Sequence, residues 1–191
     1  MNQAGIIELV QKGVSKFQVR EFYDKDTREI CSWVTTREAL QLVSGNTADY
    51  LTPIILEQWA SDACKCLVVS DQVTDRAVGF CTLSNNELPN LPENYIELCH
   101  LIVNPQYRYL FIASRLCRTA KTVASDFGFK FLCGRVKPTN RYTLALARLQ
   151  RFQEFTNERS WAVSGFRWFR FAVSHFGQRN NTLLSHLETN E

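Results

Sequence analysis

The 191 residues include 45% hydrophobic and 12% aromatic side chains, enough for one sizeable core and far from the composition of a disordered chain. Lysine and arginine exceed aspartate and glutamate by 22 − 19 = 3, a balance too weak to argue for nucleic-acid binding and compatible with a phosphate-bearing small molecule. No long apolar run or charged leader with an apolar stretch behind it appears, and the seven cysteines lack a C-x-x-C pair. These features predict a cytoplasmic protein with buried thiols, no membrane span and no metal site.

Taken in chain order, residues 1–16 carry Ile6, Ile7, Leu9, Val10 and Val14 and read as an amphipathic helix or an irregular arm. Residues 16–23 alternate as a first strand, and Asp24-Lys25-Asp26 supplies turn and N-cap chemistry. A helical phase then runs over 28–43, as one helix or two short ones, through Ile30, Trp33, Val34, Leu40 and Val43. Thr52 is the expected N-cap of the next helix, with Pro53 at its first position and Ile55, Leu56 and Trp59 inward. Residues 66–70 and 77–83 form a hairpin about a turn at 71–75, and 85–94 form a loop.

Residues 95–103 are a mostly apolar strand closed by Asn104-Pro105, and behind it Leu116, Ala120, Val123 and Phe127 recur at helical spacing. A helix that starts just after a strand presents N–H groups and its positive dipole end, which favour a phosphate. A further strand over 131–136 and a helix over 141–152 follow, the latter led by Asn140 with Leu144, Ala147 and Leu149 as core candidates. The aromatic stretch 161–173 closes the pattern as strand, with Ser164-Gly165 as turn or bulge, and a polar tail ends the chain.

On these residues the sequence resembles the GNAT superfamily of acyl-coenzyme A dependent N-acyltransferases. That family's signature is a hydrophobic strand, a Pro-containing turn, then Arg/Gln-x-x-Gly-x-Gly/Ala opening a helix. Here it reads Arg108-Tyr109-Leu110-Phe111-Ile112-Ala113. The Arg and the Ala match. Phe111 replaces the first Gly, and Tyr109 stands where a Gly commonly follows the Arg. The order of elements over residues 17–173 is also similar to the family's.

The resemblance implies an α+β fold with a mixed, mostly antiparallel central sheet flanked by helices, in a single domain spanning 1–191 with 1–16 as an arm and 178–191 as a polar tail. It implies an N-acetyltransferase that uses acetyl-coenzyme A as cosubstrate and a primary amine as acceptor. Main-chain groups of Ile102 and Val103 would bind the pantetheine and acyl carbonyl. The amides of Arg108, Tyr109, Leu110, Phe111, Ile112, Ala113 and Ser114 would bind the pyrophosphate, and Asn140 would meet the pantetheine unless it serves only as an N-cap. Glu97, six positions before Val103, is the candidate general base, against the alternative of a strand-edge glutamate facing solvent. His100 differs from it in strand parity and reads as a packed histidine unless a bulge intervenes.

The tyrosine expected seven residues after Asn140 is Ala147, which leaves Tyr142 as the candidate acid for the departing thiolate. Phe166, Trp168 and Phe169 are expected to line an acceptor pocket or to fill the core. For Phe111 the expectation is a helical backbone with its ring turned into the core, and the alternative is a ring over the helix start. Missing glycines also fit two other readings, an acyltransferase fed by acyl carrier protein, docked on Arg108, Arg115, Arg118 and Lys121, and a non-catalytic binding module.

Overall fold

A computed structural model describes residues 16–45, 47–85, 91–155 and 165–173. The expected arm before Lys16, residues 161–164 of the aromatic stretch and the polar tail lie outside them. Seven strands, β1 (Phe17–Glu21), β2 (Lys65–Asp71), β3 (Ala77–Ser84), β4 (Tyr95–Val103), β5 (Phe131–Val136), β6 (Gln153–Phe155) and β7 (Arg167–Ala172), form one sheet. Its order is β1-β2-β3-β4-β5-β7-β6. The α-helices are α1 (Thr27–Cys31), α2 (Arg37–Ser44), α3 (Pro53–Asp62), α4 (Ile112–Asp126) and α5 (Arg141–Leu149). β1 and β2, β5 and β7, and β6 and β7 run antiparallel. β4 and β5 are parallel, paired from Tyr95↔Phe131 to Glu97↔Cys133. This is the mixed, mostly antiparallel α+β sheet expected from the sequence.

Chain contacts divide the molecule into two compact units, which share β3 and β4 along the sequence. The first comprises residues up to Ser61, Lys65–Thr82 and His100–Leu116. Its core gathers Ile30, Trp33, Leu40, Leu56, Trp59, Val68 and Phe80, so the helical phase read over 28–43 faces inward but from two helices, α1 and α2. Thr52 is the N-cap of α3 as expected, its hydroxyl accepting the Ile55 N–H at 3.3 Å.

Asp26 stands at the N-cap position of α1, but its side chain makes no capping bond to that helix. Its buried carboxylate accepts two hydrogen bonds from the Arg20 guanidinium, at 2.7 and 2.8 Å, and the Tyr23 N–H at 3.0 Å. A bidentate, charge-assisted pair outcompetes a single capping bond, and Asp75 extends it by accepting Arg20 Nε at 2.9 Å. The network ties β1 to the β2–β3 hairpin. The hairpin itself closes on Asp71, whose side chain accepts the N–H groups of Val73 and Thr74 at 2.9 and 3.2 Å and pairs with Lys16 at 3.1 Å.

The second unit comprises Asp62–Cys64, Leu83–Cys99 and the chain from Cys117 onward. Here β5 is paired along its whole length with β7, and α5 packs Leu144 and Ala147 against Val136 and Phe169. α5 ends at Leu149, not at 152 as the periodicity suggests. Arg151 takes a left-handed backbone (φ 60°) and the Phe152 N–H reaches back to the Ala147 carbonyl at 2.9 Å, a Schellman-type closure that turns the chain into β6. Lys121 of α4 is buried, with Nζ donating to the Gln150 carbonyl at 2.6 Å and lying 3.8 Å from the centre of the Phe171 ring. Burial pushes this ammonium's pKa down, and the carbonyl and ring face supply the negative potential it lost with water.

Asp71 gives a pH test of the hairpin. Burial alone would push its carboxyl up, but the amides of Val73 and Thr74 together with Lys16 outweigh it and hold the folded value below the usual one. Its contribution is therefore present above the ordinary aspartate value of about 4 and is lost as pH falls through the depressed folded value. Asp71→Asn is expected to lower the melting temperature at neutral pH, with the gap to the parent closing as pH drops below about 4. A gap constant between neutral and acid pH would show that the carboxylate charge contributes nothing.

Candidate functional site

In the first unit the chain passes from β4 through a turn into α4. β4 runs on through His100, which has a left-handed backbone (φ 51°), an uncommon state for a non-glycine residue and one that disturbs the alternation of side chains as a bulge does. The imidazole is 5% exposed, stacks on Trp59 with ring centres 3.8 Å apart, and has Nδ1 2.9 Å from Thr82 Oγ1. His100 is the packed, hydrogen-bonded histidine expected. Beyond it Ile102 is buried and Val103 half-buried. Asn104 ends the strand, donating its N–H to the Val78 carbonyl at 3.0 Å and accepting the Gln106 N–H on its side chain at 3.0 Å.

The turn that follows has Arg108 exposed and two left-handed residues, Tyr109 (φ 66°) and Phe111 (φ 59°). These are the two positions at which the resembling family uses glycine, so the backbone keeps the conformation glycine would adopt at no steric cost. For an L-residue that conformation costs about 1–2 kcal/mol each. Tyr109 is 81% and Phe111 55% exposed. The expectation of a helical Phe111 with its ring in the core is thus overturned, because a left-handed backbone at the helix entry directs the side chain outward.

Phe111 is the N-cap of α4: its carbonyl accepts the Arg115 N–H at 3.0 Å, and the helix proper starts at Ile112. A phenyl ring cannot accept the first-turn N–H groups as Ser, Asp or Asn would, so the chemistry of this helix start suits an external acceptor. Ile112 and Ser114 are buried and Ala113 is half-buried, while Leu110 is half exposed. The entry is seated on β3 at Gly79, where an added Cβ would stand 2.5 Å from Ile112 Cγ2. Arg115 anchors the next turn by donating to the Phe17 carbonyl. A left-handed turn, a helix start whose N-cap residue lacks a side-chain acceptor, and the exposed Arg108 thus follow one another here, the kind of arrangement that suits an anionic group.

In the second unit Glu97 is 1% exposed, which removes the alternative of a solvent-facing strand edge. Its Oε1 accepts Arg135 Nε of β5 at 3.0 Å. Sequence reasoning missed Arg135, although one cation within the apolar run 131–136 and one anion within the apolar run 95–103 are the signature of a cross-strand ion pair. Asn140 is the N-cap of α5, its Oδ1 accepting the Thr143 N–H at 3.1 Å. Tyr142, on the first turn of α5, is 77% exposed, and Ala147 faces the core. Trp168 and Phe169 are buried and fill the core, whereas Phe166 is half-buried, with the Arg135 guanidinium and the Lys137 ammonium each 5.9 Å from its ring centre. Of the basic group proposed beside the turn, Arg108 and Arg118 are exposed, Arg115 is held by Phe17, and Lys121 is buried.

The profile of the acetyltransferase (GNAT) family matches residues 19–152. Among solved structures, an N-acetyltransferase from Staphylococcus aureus Mu50 is similar with a TM-score of 0.66 at 15% identity, over 83% of this chain and 99% of that one. A putative acetyltransferase, yncA, from Salmonella typhimurium with its cofactor acetyl-CoA gives 0.66 at 12% identity, over 83% and 95%. A phosphinothricin acetyltransferase from Sinorhizobium meliloti in complex with acetyl-CoA gives 0.65 at 13% identity, over 84% and 90%. At these identities the likeness is one of fold. A comparison with curated proteins found no match.

The exposed, left-handed Phe111 has a direct consequence for stability. Phe111→Gly relieves the backbone strain and loses no core contact, so unfolding in denaturant should show a change between zero and a gain of about 1 kcal/mol, the strain relief less the extra flexibility of an unfolded glycine. A loss of about 3 kcal/mol or more would mean that the ring is packed as a core aromatic.

Proposed function

The chain belongs to the acetyltransferase (GNAT) family, whose members use acetyl-coenzyme A, and on that premise we propose that it acetylates a primary amine by direct attack within a ternary complex. The observation that carries the reading is the helix start at Phe111, where glycine-type backbone is retained at Tyr109 and Phe111 despite its cost. In this reading the amides from Arg108 to Ser114 hold the pyrophosphate, and main-chain groups of Ile102 and Val103 orient the pantetheine and acyl carbonyl. The β4–β5 ladder stops at Glu97↔Cys133 although both strands continue, which is consistent with such a use of β4.

The amine nitrogen attacks the thioester carbonyl carbon; its C–N bond forms as the C–S bond breaks, and the electron pair leaves on sulfur. Glu97, ionised beside Arg135, takes the proton released by the amine, and Tyr142 is assigned the proton that the thiolate gains. Asn140, already committed to capping α5, contributes through its placement of that helix start. A second reading has an observation of its own. Arg108 is exposed, as are the adjoining Tyr109, Leu110 and Phe111, a basic and apolar stretch that also suits an acidic acyl carrier protein as donor. Among the described residues no helix is long and apolar enough to cross a membrane.

Parallel calorimetry with acetyl-coenzyme A, coenzyme A and acyl carrier protein separates the donors: heat with the first two and none with the third is expected. Thermal shift should rise with acetyl-coenzyme A, by linkage, and mass spectrometry of a panel of amines should show a gain of one acetyl group on at least one. Binding to neither coenzyme form at millimolar concentration would reject the proposal. Glu97→Gln should cut turnover by about two to four orders of magnitude at neutral pH with acetyl-coenzyme A affinity nearly unchanged. Turnover within a few fold of the parent across the pH range would remove Glu97 as the base.

A further inference from the structure

Glu97 is a carboxylate with almost no exposure in a strand of apolar neighbours. In such a place a lone carboxyl would be driven to its neutral form, which can take no proton from an amine. What stands against that is Arg135. Its Nε lies 3.0 Å from Glu97 Oε1, and the partner is chemically apt because a guanidinium stays charged at any working pH and holds a planar acceptor in one orientation. The pair also marks a place in the sheet: Glu97↔Cys133 is the last rung between β4 and β5, and Arg135 lies two residues further along β5.

Among the described groups near Glu97, three others have surroundings of their own. Cys133, across from Glu97 in register, is fully buried, and its thiol is pushed well up by burial first and by the Glu97 charge second, so it stays neutral. Arg170 of β7 pairs in register with Cys133 but donates to the Tyr95 hydroxyl at 3.0 Å. Lys137 Nζ lies 5.9 Å from the Phe166 ring centre, as does the Arg135 guanidinium carbon. With one edge against the carboxylate and its face toward Phe166, Arg135 has a fixed place, and its side chain keeps 21% exposure.

We propose that Arg135 is a positioning residue for Glu97: it keeps the buried carboxylate ionised and oriented at the end of the β4–β5 ladder. The catalytic consequence rests on the reading of Glu97 as base given above; the charge and orientation of Glu97 do not.

Carboxyl NMR of the full chain, labelled at glutamate side chains and assigned with Glu97→Gln, reads this directly. In the parent, Glu97 should titrate at or below the ordinary glutamate value of about 4.3 despite its burial, and a midpoint above about 6 would overturn the proposal without any variant having to fold. Arg135→Met should raise the midpoint by at least about one pH unit, a tenfold change in proton affinity, and Arg135→Lys by less. An unmoved midpoint in folded Arg135→Met would also overturn it. The acid limb of kcat/KM, taken with acetyl-coenzyme A and the best amine of the panel, should move up by the same amount and activity should recover at high pH. If the carboxyl midpoint moves and the limb does not, Arg135 holds Glu97 as proposed and the assignment of Glu97 as proton acceptor is the part that fails.

Discussion

β4 is covered along nearly its whole length, and a polar group turned inward from a covered strand must find its match in the protein rather than in water. Three polar residues on or just after this strand each meet at least one such partner, although Glu97 Oε2 is buried without a hydrogen bond. Glu97 meets the Arg135 guanidinium, His100 stacks on Trp59 and meets the Thr82 hydroxyl, and Asn104 bonds the main chain of Val78 and Gln106. Removing one partner from such a set leaves a buried group unsatisfied, at a cost of about 1–3 kcal/mol for a neutral group and more for a charge. The strand is therefore fixed by its polar residues as much as by Ile96, Cys99 and Ile102.

That fixity bears on function through the backbone. His100, Tyr109 and Phe111 all hold left-handed conformations that their side chains disfavour, and all three lie within twelve residues of the β4–turn–α4 segment. Strain of this kind persists only where surrounding packing over-determines it. For the turn, the packing is visible: Ile112 is seated against Gly79, and Arg115 is tied to the Phe17 carbonyl. The family likeness and the conformation agree here even where the residue identities do not. A signature written in glycines describes a backbone shape, and this chain reaches that shape with a tyrosine and a phenylalanine.

Two charged clusters show how the same chemistry is used in different surroundings. Arg20 holds Asp26 and Asp75 at the edge of the sheet, joining β1 to the hairpin, and its own proton is held more tightly for it. Arg135 meets Glu97 where the carboxylate is buried and the guanidinium only partly exposed. Lys121 is the contrasting case, a cation kept inside by a carbonyl and an aromatic face, with burial lowering its pKa. The first cluster is explained by stability alone. The second carries a carboxylate that the proposed chemistry can use.

The sequence by itself determined the order of elements apart from β6, the strand-to-helix turn after Asn104-Pro105 and the Thr52 and Asn140 caps, because each depends on neighbours a few residues away. The same local signals were enough for the family resemblance. Other features were decided only when distant segments met. Phase cannot show that residues 28–43 form two helices, or that three residues after Phe152 form a strand, since β6 exists only by pairing with β7. Asp26 takes the N-cap position of α1, but its side chain is turned to Arg20, which donates two hydrogen bonds to it. Phe111 reads as a core residue on helical spacing, yet its backbone is left-handed and its ring more than half exposed, while its neighbour Ile112 docks on β3. Glu97 and Arg135 are 38 positions apart, so the surroundings that bury a strand glutamate and set a guanidinium beside it come into being only with the parallel pairing of β4 and β5.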